Sequence, residues 1–280
     1  MIEVKNITFK YGAITVLDNI SLSIEKGLRY ALLGANGAGK TTLLLHLNGV
    51  LRPLSGKIFF NGEEITYDRK TLSSLRRRVG VVFQDPEVQL FSATVAEDVS
   101  FGPMNLGLSP EEAIGRVDGS LKACGIYELK GRPTHFLSHG EKKLAAIAGV
   151  LAMEPEVIVL DEPIAGIDNV HKEKILNIFS KLRENNVTLI MSTHNVDLAY
   201  EWADRIIVMD NAKIAGIGTP LEVFTNGKLS VSQPIVLEIY KMLIKCGLHG
   251  NNKDIPRIKD ELLRYIEGAA LKLPQGSAPP

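Results

Sequence analysis

The sequence predicts an α/β fold, and three observations carry that expectation. Apolar runs of strand length recur at Arg29–Leu33, Val79–Phe83, Val157–Leu160, Val187–Ser192 and Arg205–Met209. Helical patterns lie between most of them, notably Val170–Arg183 and Val196–Trp202. One run leads into Gly34-Ala35-Asn36-Gly37-Ala38-Gly39-Lys40-Thr41-Thr42, which fits G-x-x-x-x-G-K-[ST] in full, with helical Thr42–Leu47 behind it. A strand-to-helix turn is the setting this P-loop pattern requires.

The residue types of the loop define a phosphate cradle. Its glycines let backbone N–H groups wrap a triphosphate, and the following helix adds the partial positive charge of its N-terminus. Lys40 reaches the outer phosphates, and Thr41 offers a hydroxyl to Mg²⁺.

The chain has 280 residues, enough for one large domain with a short appendage. With 32 basic and 32 acidic residues it carries no net charge, so no global field recruits nucleic acid or anionic lipid. The local cluster Arg76-Arg77-Arg78 fits the solvated end of a helix. Cys124 and Cys246 stand outside any metal-ligand spacing and read as reduced thiols of a cytosolic protein. No apolar core of a signal peptide follows Met1, and no run nears the roughly 18 residues that span a bilayer. Any membrane role is therefore expected to be peripheral.

In chain order, β patterns at Ile2–Phe9, Ile20–Ile24 and Arg29–Leu33 are separated by turns at Tyr11-Gly12 and Lys26-Gly27. Tyr11 fits a base-stacking ring or a turn tyrosine. Ser55–Gly62 reads as a strand closed by an Asn-Gly turn, Asp68–Arg78 as a polar helix, and Val79–Phe83 as a buried strand ending at Gln84-Asp85-Pro86. Gln84 sits where α/β folds place ligand contacts, though its position alone fits a plain loop equally. Residues 87–153 read as mainly helical. Ser109-Pro110-Glu111-Glu112 is a start signal, but Gly115 and Gly119 each weaken the helix behind it by about 1 kcal/mol. A further helix runs from Ser138 to Leu151, and its N-terminus can also hold an anion. A hairpin about Asn211-Ala212 closes the α/β part. Helical patterns follow at Pro220–Phe224, Gln233–Lys245 and Lys253–Glu267, then a tail, Gln275–Pro280, of disordered composition.

The chemistry-bearing pair is Asp161-Glu162, after an all-apolar strand. Adjacent carboxylates there call for compensation, because an unpaired buried carboxylate is very costly, and a nucleotide with Mg²⁺ supplies it. Asp161 would hold the metal through a water, and Glu162 would orient and deprotonate the attacking water. His194, at another strand end, fits either a phosphate sensor or a structural histidine.

Together these motifs resemble the nucleotide-binding subunit of ABC transporters, over about residues 1–222. Leu137-Ser138-His139-Gly140-Glu141 is similar to its signature L-S-G-G-Q. Gln84 matches the Q-loop, Ala165-Gly166-Ile167-Asp168 the D-loop, His194 the switch histidine and Tyr11 the adenine-stacking aromatic. Leu45–Gly49, Val82–Pro86 with Gln89-Leu90-Phe91, and Phe101–Leu108 further resemble the energy-coupling-factor importers, particularly the ATPase of cobalt and nickel uptake. The resemblance implies a RecA-like P-loop core with an antiparallel β subdomain, a helical signature subdomain at about 87–153, and a C-terminal helical extension at 223–280. It implies ATP hydrolysis with Mg²⁺ held by Thr41, Asp161 and Gln84, Glu162 as base, and His194 and Asp168 linking hydrolysis to dimer geometry. It also implies a dimer, preferably of identical chains, on the cytoplasmic face of a membrane. Ser138 and Gly140 would then contact the other subunit's nucleotide, and the Gln84–Phe91 groove would receive the membrane scaffold protein, itself joined to a substrate-binding subunit. Vitamins are the alternative cargo of the same group.

The sequence departs from the pattern where His139 replaces a glycine, Glu141 a glutamine, Leu144 a common arginine and Ile164 a threonine. With Ser138 and Gly140 retained, an active site is expected. A non-transport ABC ATPase acting on DNA or ribosomes would show long coiled coils, a second cassette or strong basic charge, none of which is present. A P-loop kinase would leave the signature stretch and His194 unexplained.

Overall fold

The computed structural model describes residues 1–225, 231–248 and 255–270. The chain runs β1 (Ile2–Tyr11), β2 (Ile14–Ile24), β3 (Arg29–Leu33), α1 (Lys40–Leu47), β4 (Ser55–Phe60), β5 (Glu63–Glu64), α2 (Arg69–Arg78) and β6 (Val79–Val82). It continues with α3 (Val95–Asn105), α4 (Pro110–Ala123), α5 (His139–Leu151), β7 (Val157–Asp161), α6 (Asn169–Glu184), β8 (Thr188–Thr193), α7 (Val196–Trp202), β9 (Arg205–Asp210) and β10 (Lys213–Gly218). Helices α8 (Pro220–Thr225), α9 (Ile235–Lys245) and α10 (Lys259–Ala270) follow. The expected tail lies outside the described residues, as does the expected helix start at Lys253.

Two sheets form. The larger has the order β10-β9-β3-β8-β7-β6, parallel except for the β9–β10 hairpin. The smaller, β2-β1-β4-β5, is antiparallel. The apolar runs are continuous because both faces of the larger sheet are covered. Ala31, Leu33, Ile158, Leu160, Leu189 and Met191 join the core shared with α5 to α7. Tyr30, Leu32, Val157, Val159 and Ile190 join the core shared with α1 and the antiparallel sheet.

Strand β2 starts at Ile14, six residues before the sequence pattern suggested, because its first half is drawn into the sheet by pairing with β1. Helix α4 runs unbroken through Gly115 and Gly119. Its Ser109–Glu112 capping box and the buried stripe Ala113, Val117 and Leu121 outweigh the two glycines. Helix α3 opens with a second capping box, Thr94–Glu97. The C-terminal helices are tied to α7 by Arg257, whose guanidinium donates to the carbonyls of Tyr200 (2.7 Å) and Ala203 (2.5 Å).

Asp204 fastens the start of β3 to the end of α6. Its carboxylate accepts from Arg29 N (2.9 Å), from the Arg29 guanidinium (3.3 Å) and from Arg183 Nε and Nη2 (3.1 Å each). Burial pushes its pKa up, but the Arg29 N–H and the two guanidiniums outweigh this and hold it below 3.8. Asp204→Asn is expected to lose about 1–3 kcal/mol, read as a lowered Tm. The wild-type advantage should be complete above pH 3.8 and fade as the pH falls through the depressed native value.

Candidate functional site

The carboxyl ends of β3, β6, β7 and β8 lie side by side along one edge of the sheet and open on a pocket of about 500 Å³. It is lined by Asn36, Gly37, Gly39, Lys40, Thr41, Thr42, Gln84, Glu162 and His194, with Val16 and Ala165. Nine expected site residues, from four separated stretches, thus meet in one cavity. Two backbone constraints shape it. Gly39 holds φ +100° and packs so closely that a Cβ would stand 2.5 Å from the Val16 carbonyl; at Gly34 a Cβ would stand 2.5 Å from the Met209 carbonyl. Ala35 and Ala38 complete the turn, and Lys40 Nζ donates to the carbonyls of Gly34 (2.8 Å) and Ala35 (3.0 Å).

Asp161, the last residue of β7, is buried behind the pocket. One oxygen accepts from Thr41 Oγ1 (2.8 Å) and the other from Ser192 Oγ (2.6 Å). The same Ser192 hydroxyl accepts from Glu162 N (2.9 Å). Glu162 has φ +40°, a left-handed conformation that strains a residue other than glycine and turns its side chain into the pocket. Its carboxylate lies 3.1–3.2 Å from His194 Nδ1.

A divalent cation fits this donor set. Asp161 is a buried carboxylate whose hydrogen-bond partners are neutral hydroxyls, and Thr41 and Gln84 add further oxygens from the same cavity. Hard oxygen donors of this kind suit Mg²⁺.

Other expected residues stand apart from the pocket lining. Tyr11 is half exposed at the end of β1, edge-on to Phe9 with centroids 5.0 Å apart. Ser138 caps α5 in a capping box with Glu141, whose carboxylate accepts from Ser138 N (2.7 Å) while Ser138 Oγ accepts from Glu141 N (3.3 Å). His139 is exposed beside it. Leu144 is fully buried in the core, which accounts for an apolar residue there. Asp168 caps α6 and pairs with His171 Nδ1 at 2.6 Å. The His171 ring lies against Gly140, where a Cβ would meet it at 2.6 Å.

Sequence reasoning missed Ser192, His171 and Lys143. Lys143 is fully buried, and its ammonium donates to the carbonyls of Phe83 (2.9 Å) and Gln84 (2.5 Å). Ser192 had a legible signal, because a hydroxyl beside a buried acidic strand end is a natural partner for it. The other two depend on tertiary contacts.

The fold and this pocket define an ATP-binding cassette, and the chain belongs to the ABC transporter family, whose model matches residues 17–165. It is 47% identical over 250 residues to the energy-coupling factor transporter ATP-binding protein EcfA of Methanocaldococcus jannaschii, covering 88% of this chain and 90% of that one. It is 44% identical over 262 residues to the cobalt import ATP-binding protein CbiO of Rhodobacter capsulatus, covering 92% and 93%. The solved structure of cbiO1 from Clostridium perfringens, part of the ABC transporter complex cbiONQ, matches with a TM-score of 0.75 at 40% identity, over 88% of this chain and 96% of that one. Within the family the chain is an ATPase subunit of the energy-coupling-factor and CbiO type. Its substrate is ATP.

Ser192→Ala would leave Asp161 short of one donor and the strained Glu162 N–H without its acceptor. ATPase kcat is expected to fall about tenfold or more, with a stability loss of about 1–2 kcal/mol by thermal melting.

Proposed function

We propose that this chain energises an importer of cobalt or nickel ions, working as one half of a homodimer bound peripherally to the cytoplasmic face of a membrane. The metal cargo is supported by likeness to a relative named for cobalt import, at 44% identity over nearly the whole of both chains. A vitamin importer of the same group is the second reading, because the name of the EcfA relative specifies no cargo. Cobalt uptake by vesicles holding the assembled transporter separates the two.

In this reading residues 1–222 form the ATPase domain and 223–280 an appendage. The N–H groups of Gly34 to Thr42 and the Lys40 ammonium hold the phosphates, and Tyr11 stacks on the base. Thr41, Asp161 and Gln84 hold Mg²⁺, which when bound neutralises phosphate charge. Glu162 accepts the proton of the attacking water, and His194 orients its carboxylate. The observation that carries the dimer is the placement of the signature: neither Ser138 nor Gly140 lines the pocket of its own chain. Ser138, Gly140 and Asp168 therefore serve the nucleotide of the second subunit.

Among the described residues no helix is long and apolar enough to cross a membrane, so membrane partners must dock on a surface. A groove of about 1040 Å³ between α2, α3 and α5 suits them. Phe91 and Phe101 lie in it edge to face, 4.7 Å apart and mostly exposed, opposite Arg69, Arg76 and Arg77. We assign this groove, which takes Gln89 and Phe91 from the Gln84–Phe91 stretch, to the scaffold protein.

Glu162→Gln should bind ATP with near-normal affinity yet turn over at least about a hundredfold more slowly. Undiminished turnover would remove Glu162 from the role of base. The composite site has its own test. Lys40→Ala and Ser138→Arg chains should each be inactive alone, yet regain about a quarter of wild-type activity when mixed, because half of the dimers are mixed and each mixed dimer has one intact site of two. Mixtures without activity would argue against sharing between subunits.

A further inference from the structure

Lys143 is the least explained group in the molecule. It is fully buried, on a helix whose neighbouring residues Leu144, Ala145, Ala146 and Ile147 are buried and apolar. Burying an ammonium costs several kcal/mol unless a counter-charge meets it, and an apolar side chain of similar length fills such a position at no such cost. Among the described residues no carboxylate stands within ion-pair distance of it. Its contacts are two backbone carbonyls, those of Phe83 and Gln84. Asp161 and Asp85 favour its charge only from beyond ion-pair distance, and packing alone gives no reason for an ammonium here. Holding those two carbonyls does.

We propose that Lys143 is a positioning residue for ATP hydrolysis, clamping the Gln84 loop to the signature helix α5 so that Gln84 and Ser138 move as one body. Two further links run across the same seam. Lys142 pairs with Glu87 at 2.6 Å. Gln89 accepts from Phe83 N (3.0 Å) and donates to the Ala146 carbonyl (3.3 Å). The loop is thus fastened to α5 from Phe83 to Gln89. Ser138 lies five residues before Lys143 on the same helix, about 7.5 Å along a rigid axis. The seam also forms part of the wall of the large groove, with Gln89 and Phe91 from the loop side and Ala146 and Gly149 from α5. A partner seated there presses on both sides at once. Its displacement then reaches the Gln84 of this subunit and the Ser138 offered to the other subunit together, rather than one after the other.

Lys143 does not itself line the pocket and acts through Gln84, which does, so the inference rests on the metal-holding role proposed for Gln84. The test uses the full chain in its assembled transporter, with ATPase rates measured against ATP and against Mg²⁺. Lys143→Met keeps the length and removes the donors. We expect kcat to fall roughly ten- to a hundredfold, KM for ATP to stay within about twofold, and the Mg²⁺ concentration for half-maximal rate to rise. Lys143→Arg, which retains donors, should restore at least about a third of the rate. Combined with Gln84→Ala, Lys143→Met should cost little beyond Gln84→Ala alone, since both act on one contact. A Lys143→Met chain with wild-type kcat and Mg²⁺ dependence, or losses that multiply in the double variant, would overturn the clamp. Should Lys143→Met fail to fold, Lys143→Gln run through the same cycle decides on the same criterion. Glu162→Gln measured in parallel keeps the two ideas separate: undiminished turnover there counts against the reading of the site, whatever Lys143 does.

Discussion

The carboxylate of Asp161 is the constraint on which the rest of the structure depends. It is buried at the end of β7, where a negative charge is costly, and its two oxygens are taken by hydroxyls from different elements, Thr41 at the start of α1 and Ser192 near the end of β8. Those hydrogen bonds set the register of the phosphate cradle against the sheet. They relieve the burial in part, since hydroxyls are neutral, and the remaining charge favours a cation at this place. The order of the strands does the rest. Because β3, β8, β7 and β6 run parallel and adjacent, their carboxyl ends deliver Gly34, His194, Glu162 and Gln84 to one edge.

Strain at the next residue follows from the same arrangement. Glu162 at φ +40° sits in a region that costs about 1–3 kcal/mol for a residue other than glycine. Its N–H is fixed by the hydroxyl that also serves Asp161, and its carbonyl accepts from Ala165 N at 3.2 Å. The turn so made aims the two consecutive carboxylates in different directions, one into the protein behind the cradle and one into the pocket beside His194. A relaxed extended residue would continue the strand alternation and send Glu162 away from the cavity.

Much of this was legible in the sequence, and the reasons differ by residue. The phosphate cradle is contiguous, and its geometry is demanded by residues within a nine-residue window, so the chain announces it. The strands β3, β7 and β8 are buried on both faces and read as unbroken apolar runs. The first half of β2 was hidden because Ile14 and Thr15 are exposed and their strand conformation comes from pairing with β1. Gln84 was ambiguous until its neighbours were known: one polar residue after a strand has no local signature, and its place beside Lys40 and Glu162 exists only in three dimensions. Lys143 was invisible for a related reason. It lies between Lys142, which is paired at the surface, and Leu144, which is buried, and a lysine in a helix carries no mark of which way it faces.

The departures in the signature follow from the local physics of α5. Glu141 in place of glutamine completes the capping box, and the Ser138 N–H it accepts holds its carboxyl below the usual range, so it stays ionised at neutral pH. A fixed negative charge beside a serine proposed to meet phosphate would repel that ligand. Two features counter it: the carboxylate folds back onto its own helix N-terminus, where the macrodipole favours it, and Arg132 stands 3.5 Å from its other oxygen. The cap thereby orders the serine while its charge is spent within its own helix. Gly140 remains free of a side chain because the His171 ring, paired with Asp168, occupies the space above it. The two motifs proposed to face the neighbouring subunit are therefore packed against each other through one imidazole, which joins Asp168 to Gly140 by direct contact.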